Sequence, residues 1–109
     1  MASEVLSVAL KSALSNAEAD LLTVASGHTY TVLSMTLCET AGAAETFDLY
    51  VRDDAGANDY YVYKAQALAA NATFEHTSKF VLTAGDVLSG VTGNTADVDV
   101  VISYLDQTL

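Results

Sequence analysis

The side chains that most often bind metals or transfer protons are scarce in this sequence. It contains two imidazoles, His28 and His76, and one thiol, Cys38. A structural zinc site needs about four nitrogen or sulfur ligands, and these three residues lie far apart in the chain. His28 follows a glycine at the start of a strand pattern and His76 ends a short strand pattern, so both are expected to be exposed. No metal site is predicted from them.

Nucleophilic catalysis is not indicated either. A cysteine or serine nucleophile needs a base within hydrogen-bond reach and a third group that orients the base. Cys38 lies in a strand pattern beside Leu37, among apolar neighbours, where a free cysteine usually behaves as a small hydrophobic residue. The G-x-S-x-G, H-E-x-x-H, P-loop and G-x-G-x-x-G motifs are missing from the sequence. We therefore predict no catalytic residue, no cofactor and no enzymatic activity.

Acidic residues form the one group that could bind an ion. Asp53, Asp54 and Asp59 crowd one loop, and Asp97 and Asp99 flank a valine. Calcium takes six to eight oxygen ligands, which protein loops can supply. The spacing lacks the order of an EF-hand loop, so a solvated acidic loop is the favoured interpretation.

Length and charge restrict the domain organisation and the partners. The chain has 109 residues and 11.4 kDa, so residues 1–109 are predicted to form a single domain. With 14 acidic and 4 basic residues, the net charge is −10. Nucleic acids and anionic membranes are disfavoured partners, because phosphate binding depends on Lys and Arg. No apolar run approaches a membrane helix of ~18 residues, and the N-terminus lacks a signal-peptide pattern. We expect a protein that is soluble when made.

Alternating apolar and polar residues predict antiparallel strands with one wet face. Three patterns carry this prediction: 47–51, 98–104, and the set Leu33, Met35 and Leu37, which we expect to share a buried face. Turn residues separate such segments at the rhythm expected of short strands. The predicted strands are 5–12, 20–25, 28–39, 45–53, 59–66, 72–76, 79–83, 86–91 and 97–106.

The N-terminal segment, residues 1–15, fits two patterns. Leu6, Leu10 and Leu14 are four apart and Ser3 could cap a helix. Leu6 and Leu10 also alternate with polar or small residues, as in a strand. We favour an extended N-terminal strand or arm.

The strand count and the short connections predict the architecture. Parallel strands need long crossovers, which the sequence lacks, so the sheet is predicted to be antiparallel. Eight or nine short antiparallel strands close as a two-sheet sandwich or as a small barrel. The varied loop lengths favour an all-β, two-sheet β-sandwich of jelly-roll type.

Tyrosines are the enriched residues with a binding role. Tyr60, Tyr61 and Tyr63 fall in one strand that has no polar face, so the strand lies either in the core or under a partner. Alternation places Tyr60 and Tyr61 on opposite faces, so we expect one of these two rings to be needed for folding. We predict that Tyr60, Tyr61 and Tyr63, together with Leu6 and Val8 of the N-terminal segment, form one subunit interface.

The order of motifs resembles small virion structural proteins of tailed bacteriophages. The similar segments span nearly the whole chain; they are 20–24 (DLLTV), 27–29 (GHT), 36–40 (TLCET), 59–62 (DYYV), 68–71 (LAAN), 82–88 (LTAGDVL) and 98–105 (VDVVISYL). The chain departs from the group at Ala25 and Ser26, where the group has Pro-Ala, and at His28, where it has lysine.

This resemblance implies a β-sandwich protein of the virion and no catalytic residues. Its main implication is a capsid decoration (cement) protein on the outer capsid surface, made in the host bacterial cytoplasm. The implied partners are the major capsid protein and further copies of the chain, as a homo-oligomer that we expect to be a trimer. The alternative is a tail or fibre module that binds host surface glycans, which the absence of tryptophan disfavours.

Overall fold

The computed structural model describes residues 3–54, 56, 58–94 and 97–108, and all regular structure within these ranges is β-strand. The nine strands are β1 Ser3–Leu14, β2 Ala19–Thr23, β3 His28–Glu39, β4 Glu45–Arg52, β5 Asp59–Leu68, β6 Thr73–His76, β7 Phe80–Thr83, β8 Val87–Thr92 and β9 Val98–Thr108. Every bound lies within two residues of the predicted one, and the N-terminal segment is a strand. Within the described ranges, no helix is long and apolar enough to cross a membrane.

The strands form two antiparallel sheets whose pairing is nested. One sheet has the order β1-β9-β3, with β6 and β7 both on the far edge of β3, and the other has the order β2-β8-β4-β5. The first strand thus pairs with the last, the second with the eighth, the third with the sixth and seventh, and the fourth with the fifth. This is the order of a jelly roll, so the predicted all-β sandwich is confirmed.

The core lies between the two sheets and is built from alternate residues of the central strands. Phe47 and Leu49 of β4 face Val98, Val100 and Ile102 of β9, and all five side chains are at most 1% exposed. The predictions that Phe47 and Leu49 share one face of their strand, and that Val98, Val100 and Ile102 share one face of theirs, are therefore confirmed. Residues between them point outward, as the pleat of a strand requires.

A bulge in β3 alters one predicted face. The register between β3 and β9 shifts between Val32 and Ser34, which makes Leu33 the extra residue. Val32 and Met35 are both fully buried, whereas Leu33 is half-buried. The prediction that Leu33 shares the buried face of Met35 and Leu37 is wrong, because the bulge changes the phase of the alternation.

The edge strands lie at opposite ends of the sandwich. β1 ends the first sheet and packs beside β2, which ends the second. At the other end, β5 packs beside β6, where the rings of Tyr63 and Phe74 meet edge to face with centroids 4.9 Å apart. The sandwich therefore has a β1–β2 end and a β5–β6 end.

Candidate interaction surfaces

The described part of the chain contains no group of three or more His, Cys, Asp or Glu residues that could hold a metal ion. In the acidic loop, Asp59 places Oδ1 3.5 Å from Nε of Arg52, so this carboxylate already has a cationic partner. Ala55 and Ala57 of the same loop lie outside the described residues. The described residues of this loop therefore do not form a complete set of ligands for a metal ion.

His76 is buried, so the expectation that it is exposed is wrong. Its side chain lies inside the β5–β6 end of the sandwich, and the residue is 8% exposed. Nε2 lies 2.5 Å from the carbonyl oxygen of Ser78, and Nδ1 lies 2.6 Å from the hydroxyl of Tyr63. A carbonyl can only accept, so Nε2 carries the proton and donates; in the neutral ring, Nδ1 accepts from Tyr63. His76 is a structural residue that joins β5 to the segment after β6.

His28 and Cys38 also differ from expectation. His28 is half-buried, and its Nδ1 lies 2.7 Å from Oδ1 of Asp106 on β9. Cys38 is half-buried on the outer face of β3, where its cross-strand neighbours are Thr73 and Asp99 rather than apolar residues. Neither residue belongs to a cluster of reactive groups.

Glu39 is a buried carboxylate that the sequence did not single out. Its carboxylate accepts backbone N–H groups from Ala41, Gly42, Ala43 and Asn71 at 2.8–3.1 Å. Burial raises the pKa of Glu39, but the four donors together outweigh it, so the pKa lies below its ordinary value of 4.5. The residue ties the turn after β3 to the turn before β6. The sequence signal that could have indicated this role is a glutamate at the end of a predicted strand, followed by a turn of small residues.

The tyrosine strand, β5, is an edge strand whose first rings are open to solvent. Tyr60 is 55% exposed and Tyr61 is 48% exposed; they lie opposite Val51 and Tyr50 of β4. The expected division into one core ring and one outer ring is therefore wrong for this pair. Tyr63 is the ring that packs against the core.

Two of the four cations of the chain flank these tyrosines. Nζ of Lys64 lies 4.7 Å from the ring centroid of Tyr61 and 3.3 Å from Asp48, whose hydrogen bond and charge raise the pKa of Lys64. Nη2 of Arg52 lies 2.8 Å from Glu18, which raises the pKa of Arg52. We call the surface formed by Tyr60, Tyr61, Arg52 and Lys64 the tyrosine edge.

A second surface lies on the outer side of β1. Leu6 is 75% exposed, Leu10 72% and Val8 55%, and Val101 of β9 continues the same face. We call these four residues the β1 face. An open apolar groove of about 410 Å³ adjoins it; its lining residues are Leu6, Ser7, Val8, Leu33, Ser103 and Tyr104.

The structure does not bring the predicted interface residues together. Tyr60, Tyr61 and Tyr63 lie on β5, and Leu6 and Val8 lie on β1, at the other end of the sandwich. The two sets therefore form two separate candidate surfaces on one copy; that they meet in a contact between copies stays a prediction.

Other residues, not predicted from the sequence, also belong to these two surfaces. Leu10 and Val101 extend the β1 face, and Arg52 and Lys64 complete the tyrosine edge. Leu10 could have been predicted from the sequence, because it lies on the same side of the strand as Leu6 and Val8 in the alternating pattern.

Comparisons with known proteins identify the fold. No protein-family model and no curated protein matches the sequence. A solved structure of Bacillus endospore appendages, described as disulfide-linked pili, matches with a TM-score of 0.57 and 13% identity over 98% of this chain and 87% of that chain.

Two phage structures are similar in the same way. The acid-stable capsid of Helicobacter pylori bacteriophage KHP30 matches with a TM-score of 0.55 and 17% identity, over 100% of this chain and 94% of that chain. The capsid asymmetric unit of cyanophage Pam1 matches with a TM-score of 0.51 and 18% identity, over 99% and 86%. At these identities the likeness establishes a shared fold across the whole chain.

Proposed function

We propose that the chain is a structural protein of a bacteriophage particle, and more specifically a capsid decoration (cement) protein. The observation that carries the proposal is the match to a chain of the KHP30 capsid, which covers 100% of this chain and 94% of that one. Nearly complete coverage of both chains means that the similar protein is a separate chain of comparable length, not a domain of a larger shell protein. A small jelly roll can therefore be a stand-alone component of a capsid.

The tyrosine edge is the proposed docking surface for the major capsid protein. Tyrosine and arginine are the side chains that most often anchor protein interfaces. Tyr60 and Tyr61 are successive residues of the edge strand β5, and Arg52 lies opposite Asp59, the residue before them. The neighbouring cations matter because the chain carries a net charge of −10. Arg52 pairs with Glu18 and Asp59, and Lys64 pairs with Asp48, so the carboxylates at this edge are partly compensated and an approaching surface meets less repulsion here than at uncompensated carboxylates.

The rest of the surface suits a position on the outside of a particle. Acidic side chains keep the chain soluble, and burying them without partners is costly. We therefore place the tyrosine edge toward the capsid, the adjoining loop of Asp53, Asp54 and Asp59 at the solvent-exposed rim of that contact, and further copies of the chain as lateral neighbours.

Sedimentation with phage particles tests this proposal. Particles from a phage whose gene for this chain is deleted are mixed with purified chain and separated from unbound protein. We expect the wild-type chain to sediment with the particles and the double variant Tyr60→Ala/Tyr61→Ala to remain unbound. Val81→Ala, at a 58% exposed valine of β7 on the other sheet, is the matched control and should bind normally.

Two results would overturn the proposal. Wild-type chain that does not sediment with the particles rules out decoration of this capsid. Wild-type chain that binds only isolated tails places it in the tail instead.

A further inference from the structure

β1 has a free edge that is regular from Ser3 to Lys11, with a bulge between Lys11 and Leu14. It pairs with β9 on one side, and no described strand of its sheet lies on the other. Proteins usually block such edges with proline, several lysines, or short strands. β1 is 12 residues long, the chain has no proline, and Lys11 is the single lysine of the strand. Its edge is therefore open to pairing with another strand.

The centre of β1 is also uncharged. Residues 5–10, V-L-S-V-A-L, carry no charge in a chain whose net charge is −10. Glu4 precedes this stretch and Lys11 follows it. Two copies of an acidic protein meet least repulsion along such a stretch, which favours a second copy of this chain as the occupant.

We propose that β1 pairs antiparallel with β1 of a second copy, with Val8 opposite Val8 of that copy. The five residues from Leu6 to Leu10 read L-S-V-A-L, which is symmetric in its apolar positions about Val8. A twofold axis at Val8 places Leu6 of each copy opposite Leu10 of the other. Three apolar cross-strand pairs then form on the β1 face, and such pairs are the unit of sheet stabilisation.

The pleat restricts the register. Residues directly opposite each other in a sheet point to the same side, and Leu6, Val8 and Leu10 all lie on the outer side of β1. A register displaced by one residue would pair Leu6, Val8 and Leu10 with the inward-facing residues Lys11, Ala9 and Ser7. The register centred on Val8 keeps all three exposed residues on a common face.

Charge selects the direction of pairing. The antiparallel pair centred on Val8 places Glu4 opposite Ser12 and Lys11 opposite Val5, so no like charges lie opposite each other. A parallel, in-register pair would bring Glu4 next to Glu4 and Lys11 next to Lys11. The antiparallel contact is isologous and closes at two copies, so it gives a dimer in place of the trimer that the resemblance implies. This inference goes beyond the proposed function and does not depend on a capsid.

The oligomeric state of the isolated chain tests the proposal. We expect sedimentation equilibrium to give a concentration-dependent mass that approaches twice 11.4 kDa. Val8→Lys puts two lysines opposite each other at the twofold axis, where like charges are destabilising; it should weaken the dimer at least tenfold. Val81→Lys adds the same charge at an equally exposed valine of the same sheet, 58% against 55%, and should leave the dimer unchanged. Circular dichroism confirms that both variants fold.

Disulfide cross-linking in a Cys38→Ser background tests the register. Val8→Cys should cross-link to itself on mild oxidation, because paired strands bring opposite Cα atoms within disulfide range. Leu6→Cys and Leu10→Cys should cross-link when mixed, and neither should do so alone. A monomer at all concentrations, a trimeric mass, a dimer unaffected by Val8→Lys, or self-cross-linking of Leu6→Cys would each overturn the proposal.

Discussion

Glu39 illustrates how a single charged side chain can be buried in this fold. A carboxylate taken out of water is stable only if hydrogen bonds replace its hydration. Four backbone N–H groups do so here, and they come from two turns that are distant in sequence. The sequence places a glutamate before a small-residue turn, but it does not show that Asn71 supplies the fourth donor.

Replacing this carboxylate should destabilise the protein. In Glu39→Gln, the NH₂ group of the amide would face backbone N–H donors, so part of the hydrogen bonding is lost. We expect the thermal midpoint at pH 7 to fall by several degrees. The control Glu75→Gln, at an exposed glutamate of β6, should change the midpoint little. An unchanged midpoint in Glu39→Gln would contradict the stabilising role of this carboxylate.

The same carboxylate should contribute to the pH dependence of stability. The pKa of folded Glu39 is lowered, so its contribution is fully present above the ordinary value of 4.5 and is lost as pH falls through the lowered pKa. The difference in midpoint between the wild type and Glu39→Gln should therefore shrink below pH 4.5. Thermal unfolding between pH 7 and acid measures it. A difference that stays constant throughout would argue against the lowered pKa.

Half-buried Tyr63 and buried His76 form a hydrogen-bonded pair. The local sequence could not reveal this pair, because 13 positions separate the two residues and only the fold brings β5 beside β6. Tyr63→Phe removes the hydroxyl and leaves Nδ1 of His76 without its donor. We expect a loss of about 1–2 kcal/mol in the free energy of unfolding, measured by urea titration. Tyr60→Phe removes an exposed hydroxyl and should cost almost nothing. Equal effects of the two changes would be inconsistent with the pair.

At the scale of elements, the strands were the most predictable feature and the bulges the least. β9 follows strict alternation from Val98 to Ile102. In β4, Phe47 and Leu49 agree with the pattern, but Tyr50, which the alternation predicts on the polar face, is buried as well. In β3, the extra residue Leu33 interrupts the alternation, and no local signal marks it. A bulge depends on how two strands pair, so a pattern read along one strand cannot locate it.

The edge position of β5 changes the expected effect of truncating its tyrosines. Tyr60 and Tyr61 are about half exposed and lie outside the core cluster. We expect Tyr60→Ala and Tyr61→Ala to cost about 1 kcal/mol or less each, so that both variants fold at room temperature. Urea unfolding of each variant gives this value. Complete unfolding of either would mean that its ring supports the core.

At the scale of the molecule, the sequence predicted the two-sheet sandwich but not which strands pair with each other. The nested pairing joins Ser3 to Thr108 across nearly the whole chain. Long-range pairing of this kind leaves no local trace. It also separates two of the predicted interface residues: Leu6 and Tyr60 both carry exposed apolar surface, yet the topology places them at opposite ends.

The two surfaces give the molecule distinct faces for distinct partners. The tyrosine edge combines rings with cations, whereas the β1 face is aliphatic and uncharged at its centre. In our proposals, the first binds a capsid and the second binds another copy of the chain. Variants of one surface should therefore leave the function of the other intact.

The most direct test of the proposed function is a cryo-electron microscopy map of the intact phage particle that encodes this chain. We predict jelly-roll density on the outer capsid surface, repeated with the symmetry of the capsid, with β5 toward the shell. A capsid surface without this density, or density for the chain confined to the tail, would contradict the account.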